Sequence, residues 1–356
     1  SNNTAVGYET LKTNTTGAEN TAVGALALDA NTTANSNAAF GYQSLTDNTD
    51  GTRNCAFGAH TLQNNTSGDD NNSFGTSALG DNTTGNNNNA FGREALRVNT
   101  TASNNSAFGH NALKANTTGT QNVAVGANAL DANTTASNNN AFGYEALGAN
   151  TTGDKNNAFG ANALEANTTG VENTAFGSRA LQSNTTASYN VAVGRDALRT
   201  NTTGTQGTAV GFEALKSHTT GSANTAMGAE AGKSITTGIQ NVAFGDGALK
   251  TVTTGNFNAA FGRYALQLLQ SSAQKNTACG FEALRTNTSG DRNTSLGCFA
   301  GSNSTGSNNV FLGENSQPPS AGNNNLFIMG NSDTDNLRCN TQTINSLSDE
   351  RDKTDI

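Results

Sequence analysis

The stretch Asn3-Thr4-Ala5-Val6-Gly7-Tyr8-Glu9-Thr10-Leu11-Lys12-Thr13-Asn14-Thr15-Thr16-Gly17-Ala18-Glu19 is followed at Asn20 by the same pattern again. Gly7 recurs as Gly24, Gly41, Gly58, Gly75, Gly92, Gly109, Gly126, Gly143, Gly160, Gly177, Gly194, Gly211, Gly228, Gly245 and Gly262, always 17 residues on. Gly280, Gly297, Gly313 and Gly330 continue the series at spacings of 18, 17, 16 and 17. A period held this long marks one supersecondary unit stacked many times, not a globular enzyme.

Counted from its glycine, each unit has fixed columns. Asn stands four residues before it (Asn3, Asn20, Asn37, Asn54, Asn71, Asn88), with Gly207 the interior exception. Ala is usual two before, and Val or Phe one before. Leu stands four after (Leu11, Leu28, Leu45), and seven after begins N-T-T-G or N-T-T-A. The unit N-x-A-[VF]-G-x-x-A-L-x-x-N-T-T-G-x-x divides into two short extended runs, N-x-A-[VF] and the A-L side, joined by two corners. The glycine supplies positive φ at the first corner, and the Asn and Gly of N-T-T-G tolerate left-handed backbone at the second. A helix over the A-L side is disfavoured by its shortness and its Gly and Asn flanks. The predicted fold is therefore all-β, a parallel β-solenoid or β-roll with 17-residue coils.

Stacking is compulsory, because one coil buries too little apolar surface to offset the entropy of ordering it. Stacked coils add a backbone ladder and dispersion between like side chains above one another. The predicted structural ladder runs through Asn20, Asn37, Asn54, Asn71 and Asn88 with Gly24, Gly41, Gly58 and Gly75. Each Asn side chain is expected to bond the next coil and satisfy polar groups at the corners. The small Ala beside each Phe or Val suggests close approach of a second surface, expected to be another chain. At about 4.8 Å per coil, Gly7 to Gly330 spans roughly 90 Å.

Among 356 residues, 33% are hydrophobic, none is Trp, and the net charge is −8. That composition is low enough to raise disorder, but strict positional order is not what a solvated linker needs. There is no basic stripe, so nucleic acid is not an expected partner, and no apolar run is long enough to span a membrane. The chain starts mid-repeat without Met, which reads as a fragment of something longer. Cys55, Cys279, Cys298 and Cys339 have neither zinc-like nor disulfide-framework spacing and read as buried free thiols. Cys279 and Cys298 stand one coil apart.

The N-T-T corner decays where His218, Ile235, Val252 and Leu269 take the Asn position, and Gly232 takes a Leu position. The 18-residue unit carries the apolar run Leu266-Gln267-Leu268-Leu269-Gln270, and Pro318-Pro319 ends regular pairing on that side. These features divide the chain into a regular solenoid (1–297), degenerate capping repeats (298–330), a linker (331–347) and a distinct tail (348–356).

The tail reads Ser348-Asp349-Glu350-Arg351-Asp352-Lys353-Thr354-Asp355-Ile356. It resembles the opening of the self-cleaving intramolecular chaperone domain of phage endosialidases, tail spikes and tail fibres, which begins S-D-x-R-x-K-x-x-I. Ser348, Asp349, Arg351, Lys353 and Ile356 match, while Asp352 stands where that family usually has Leu. The resemblance implies that the chaperone trimerises a fibre and then cuts between Ser348 and Asp349. Ser348 would be the nucleophile and Lys353 its general base. A Lys desolvated on folding loses its proton and activates a hydroxyl. Residues 1–330 resemble the N-T-A-[VF]-G-x-x-A-L arrays of phage tail-fibre and algal or giant-virus fibre proteins. They are also similar to the head repeats of trimeric autotransporter adhesins, left-handed parallel β-rolls whose units are usually shorter.

The function these readings imply is a structural shaft of a viral, phage-like tail fibre or similar appendage, located in a virion tail fibre or extracellular fibre. Its partners would be itself, as a homotrimer, and a host-surface receptor or glycan bound by other parts. The alternatives are a surface adhesin or glycan-coated fibril and, less favoured, an ice-binding solenoid with Thr ladders. Sequons at Asn14, Asn31, Asn65, Asn82, Asn99 and Asn116 are candidate glycan sites, although N-T-T-G is also simply good corner chemistry. Tyr8, Tyr42 and Tyr144 share the position after the glycine and read as ordinary surface tyrosines. The shaft shows no enzyme motif, and no metal or cofactor is expected: His60, His110 and His218 lack metal spacing.

Overall fold

A computed structural model of the chain describes residues 2–270 and 272–334. It is a parallel β-solenoid of about 19 coils, with no helix among the described residues. Each coil contributes one three-residue strand, from β1 (Thr4–Val6), β2 (Thr21–Val23) and β3 (Ala38–Phe40) to β18 (Thr294–Leu296), β19 (Val310–Leu312) and β20 (Phe327–Met329). All 20 strands form one sheet. Each pairs parallel with the next in sequence, like residue beside like residue: Thr4 with Thr21, Ala5 with Ala22, Val6 with Val23. The register survives the 18-residue unit, where β16 (Ala259–Phe261) still aligns with β17 (Thr277–Cys279). The extra residue is absorbed at the corner. Gln270 donates to the Thr288 carbonyl, and Asn258 Nδ2 reaches Ala273 one residue further on than in regular coils. β18, β19 and β20 continue the same sheet through the degenerate repeats.

The middle residue of each strand, usually Ala, points into the coil and is fully buried in nearly every repeat. It packs with the Ala and Leu that follow the glycine, so Leu28, Leu45, Leu62 and their equivalents form the core. This corrects the reading of Ala as the contact with a second chain. The coil is narrow, and only a small side chain fits opposite Leu. The flanking Phe or Val points outward instead.

The A-L side is not a second strand. It is a chain of turns in which the second and fourth residues after the glycine are left-handed: Glu9 and Leu11 both at φ 52°, Gln43 at 53° and Leu45 at 51°. A third left-handed residue, such as Glu19, Ser36 or Arg53, precedes each strand from β2 to β20. Left-handed backbone costs a non-glycine residue about 1–2 kcal/mol. It persists here because each position is over-determined. The Leu11 N–H donates to the carbonyl of Ala27 in the next coil, and Leu26 N–H to Tyr8 in the previous one.

Of the two corners, the first agrees with expectation and the second does not. At the first, Gly7 (φ 140°) and its equivalents are left-handed as predicted. Coils approach so closely there that a Cβ on Gly7 would lie 2.6 Å from the Gly24 carbonyl oxygen. At the second, neither the Asn nor the Gly of N-T-T-G is left-handed. The column is tight, so it holds nothing larger than Ala among the regular repeats: a Cβ on Gly51 would meet Asn48 Oδ1 and the Gly68 carbonyl oxygen, both at 2.5 Å, unless the coil shifts slightly to admit it. Ala34, Ala102, Ala136 and Ala187 occupy this column elsewhere, each at most 2% exposed.

Candidate functional site: the columns of the solenoid

Two buried amide columns run between the coils. In the inner column, Oδ1 of Asn20 accepts from the backbone N–H of Asn37 at 2.9 Å, and Asn20 Nδ2 donates to the Ala34 carbonyl at 2.8 Å. Asn37, Asn54, Asn71 and Asn88 repeat this arrangement. In the outer column, at the N-T-T corner, Nδ2 of each Asn donates to Oδ1 of the Asn one coil earlier. The distance is 2.9 Å from Asn31 to Asn14, 2.8 Å from Asn65 to Asn48 and 3.0 Å from Asn116 to Asn99. The same Nδ2 also reaches a carbonyl three residues ahead, as Asn82 does to Gly85.

These outer asparagines are the sequon residues. Asn31, Asn65, Asn82, Asn99 and Asn116 are fully buried, and Asn14 is half-buried with its Nδ2 on the Gly17 carbonyl. The nitrogen that would carry a glycan is already committed to the ladder, and a sugar there would separate the coils. The repetition of N-T-T is explained by corner chemistry. The Thr after each Asn is likewise engaged: Thr15 Oγ1 donates to Thr32 O at 3.0 Å and Thr66 Oγ1 to Thr83 O at 3.1 Å.

Both columns are disturbed in one place, and a single residue repairs them. Gly207 offers the inner column a backbone N–H, 2.8 Å from Asn190 Oδ1, but no side chain. His218 replaces Asn in the outer column. Its Nδ1 lies 2.9 Å from Asn201 Oδ1 and its Nε2 3.1 Å from Asn224 Nδ2. An amide oxygen only accepts and an amide nitrogen only donates. The ring must therefore carry its proton on Nδ1 and be neutral, linking the two columns across the gap. Burial pushes its pKa down to about 4. Sequence reading found Gly207 and His218 as separate exceptions; their compensation needed the coil geometry.

Beyond His218 the corner becomes apolar, with Ile235, Val252 and Leu269 all buried. Ile235 also fills space left by the missing Leu at Gly232, where an added Cβ would lie 3.0 Å from Ile235 Cδ1. Gly301 repeats the device: Phe311, fully buried on β19, occupies the volume beside it.

The turn side carries most of the ion pairs. Glu213 sits between Lys216 (2.7 Å) and Lys233 (2.6 Å), which hold its carboxyl down to about 2. Lys233 also reaches Glu230 at 2.6 Å, and Glu230 pairs with Lys250. Burial raises Asp196, but Arg179 and Arg195 outweigh it and leave the carboxyl below its usual range. A surface hollow of about 460 Å³ lies further along this side against Asp131, Glu145 and Glu165. Burial raises Asp131. Asn162 and Gln182 donate to Glu145 and Glu165 at 3.1 and 2.8 Å. Among the described residues no group of His, Cys, Asp and Glu is arranged to hold a metal ion.

The sheet face has a different character. No Asp, Glu, Lys, Arg or His stands in any of the 20 strands. Phe40, Phe57, Phe74, Phe91 and Phe108 stack along it with centroids 4.5–4.9 Å apart and planes within 9°. Phe142, Phe159 and Phe176 form a second stack, and Phe244 and Phe261 a third. Cys279 lies in this column and is exposed, while Cys55 and Cys298 are partly buried and free. Reading all the cysteines as buried thiols is therefore wrong for Cys279: its side chain points out of the sheet, not into the coil. Tyr8, Tyr42 and Tyr144, in the column after the glycine, are at least half exposed.

The candidate catalytic residues Ser348 and Lys353, the scissile-bond residue Asp349 and the fourth cysteine, Cys339, lie outside the described residues. No helix among the described residues is long and apolar enough to cross a membrane. No family model, curated protein or solved structure matches this chain.

Proposed function

We propose that this chain is a structural fibre shaft of the kind found in viral, phage-like tail fibres or similar appendages, assembled as a homotrimer and holding a binding tip away from its base. The observation that carries the reading is the unbroken in-register stacking of 20 strands, held by an inner amide column and, from Asn14 to Asn201, by an outer one. The architecture commits nearly every interior group to holding coils together, and repeat stacking makes stability grow with length. A spacer needs both properties. The tail Ser348–Ile356 would belong to a chaperone that assembles the shaft and releases itself by one cut between Ser348 and Asp349, with Ser348 attacking and Lys353 taking its proton. No receptor contact is assigned to the shaft. A glycan-coated fibril is less well supported, because the sequon nitrogens are consumed in the outer column.

The test is molar mass by light scattering with and without denaturant, together with electron microscopy of the same sample. A denaturant-resistant trimer of extended rods is the expected result. A single-chain mass would overturn the trimeric shaft. For the tail, Ser348→Ala in a chain extended through the complete C-terminal domain should abolish the cut while leaving assembly intact.

A further inference from the structure

We infer that the sheet face is the surface along which copies of this chain associate, parallel and in register, each chain contributing its Val6-to-Met329 column. The inference rests on the shaft reading above and adds to it the face and the orientation. Charged residues make up 13% of the chain, yet the strands contain none. The outward positions of a sheet in water ordinarily carry charge, and depletion of charge marks the centre of protein interfaces. Of the two outward columns, the first is mostly Thr, Asn and Ser, uncharged, and the second is apolar: Val6 is exposed at 58%, Phe108 at 40%, Phe176 at 45% and Leu296 at 55%.

The area suffices. A large apolar side chain presents 150–250 Å², so partial exposure leaves on the order of 50 Å² per coil, or about 1,000 Å² over the whole sheet. A standard stable interface needs about 800 Å² from each partner. Exposed apolar patches of this extent are rare on proteins that stay single. The form of the face selects its occupant. It is a narrow strip that repeats with every coil from β1 to β20, so a partner must be equally long and repeat at the same rise. A second copy has that repeat by construction. A shaft has two different ends, so its copies run the same way. An axis along the rod then lets each copy bury the same column at the same height in a closed assembly.

Cys279, the exposed thiol in the column, reports the geometry. In the full chain with Cys55→Ser, Cys298→Ser and Cys339→Ser, a short bismaleimide should join Cys279 of one copy to Cys279 of another, each thiol adding across one maleimide double bond. Light scattering on the same variant should give a multiple of the chain mass. A multimer that is not joined at Cys279 would overturn the face and the parallel register while leaving the shaft reading in place. A single-chain mass would overturn both. Phe91→Lys combined with Phe159→Lys should reduce the mass to one chain, with the far-ultraviolet circular dichroism unchanged. Retention of the multimer by that folded variant would also overturn the face. Should the lysines unfold the coils, the Cys279 link decides.

Discussion

Coils before residue 218 and coils from 218 to 269 share one backbone but not one corner. In the first group the corner is an amide ladder from Asn14 to Asn201. In the second it is His218, then Ile235, Val252 and Leu269. The strand register passes through the junction unchanged. The corner backbone does not require Asn as such. It requires a column whose members agree with one another, polar on polar or apolar on apolar, because a lone buried polar group costs far more than a satisfied pair contributes.

The largest effect that would break this comparison lies in what both regions share. Gly126→Val puts a branched side chain at φ 136° and against the Gly143 backbone. It should cost more than about 4 kcal/mol, seen as loss of hydrogen-exchange protection in the coils on either side. Next is Asn116→Leu, an apolar side chain inside the polar column. It leaves Asn99 Oδ1 without a partner and takes one of two hydrogen bonds from Asn133 Nδ2, which keeps the Ala136 carbonyl, and from the Gly119 carbonyl, which keeps Asn105 Nδ2, at an expected cost of about 2–3 kcal/mol, measured by urea denaturation.

The junction has its own signature in pH. His218 is neutral when folded, with its pKa lowered to about 4 from 6.5. Its contribution is fully present above pH 6.5 and is lost as pH falls from 6.5 towards 4, by about 3 kcal/mol. His218→Asn, which continues the ladder, should flatten that loss in melting curves taken across this range. Unchanged pH dependence would mean that other groups govern it.

A finer test sits inside the apolar region. Gly232→Leu alone overfills the space held by Ile235 and should cost about 1–3 kcal/mol. With Ile235→Asn added, the coil returns to the consensus, and the pair should be milder than the sum of the single changes. The smallest effect expected is that of Lys155→Ala, which removes an exposed pair with Glu172 at 3.3 Å and should change stability by about 0.5 kcal/mol or less.

The period, the first-corner glycines and the inner asparagines were legible because each answers a local demand that only its residue type meets. The turn side was not. Leu is a poor left-handed residue, so Leu11 and Leu28 argued for extended backbone, and the force holding them left-handed comes from neighbouring coils. The faint signals were Gly232, Gly247 and Gly301, glycines with φ 58–64° in those same columns. The direction of Ala was misread for a related reason. Alternation in Thr-Ala-Val shows that the middle residue faces away from its neighbours, but not which side is the interior. The width of the coil decides that. Ser348 and Lys353 were legible only through resemblance.

The backbone hydrogen bonds that join successive strands also determine how the molecule yields to force. Because neighbours in the sheet are neighbours in the chain, tension on the two ends peels one terminal coil at a time instead of shearing the whole sheet. Each released coil of 17 residues adds roughly 55–60 Å of extended chain. Under load the solenoid would lengthen in equal steps, like a ratchet paying out line, and the coils still stacked would keep their structure.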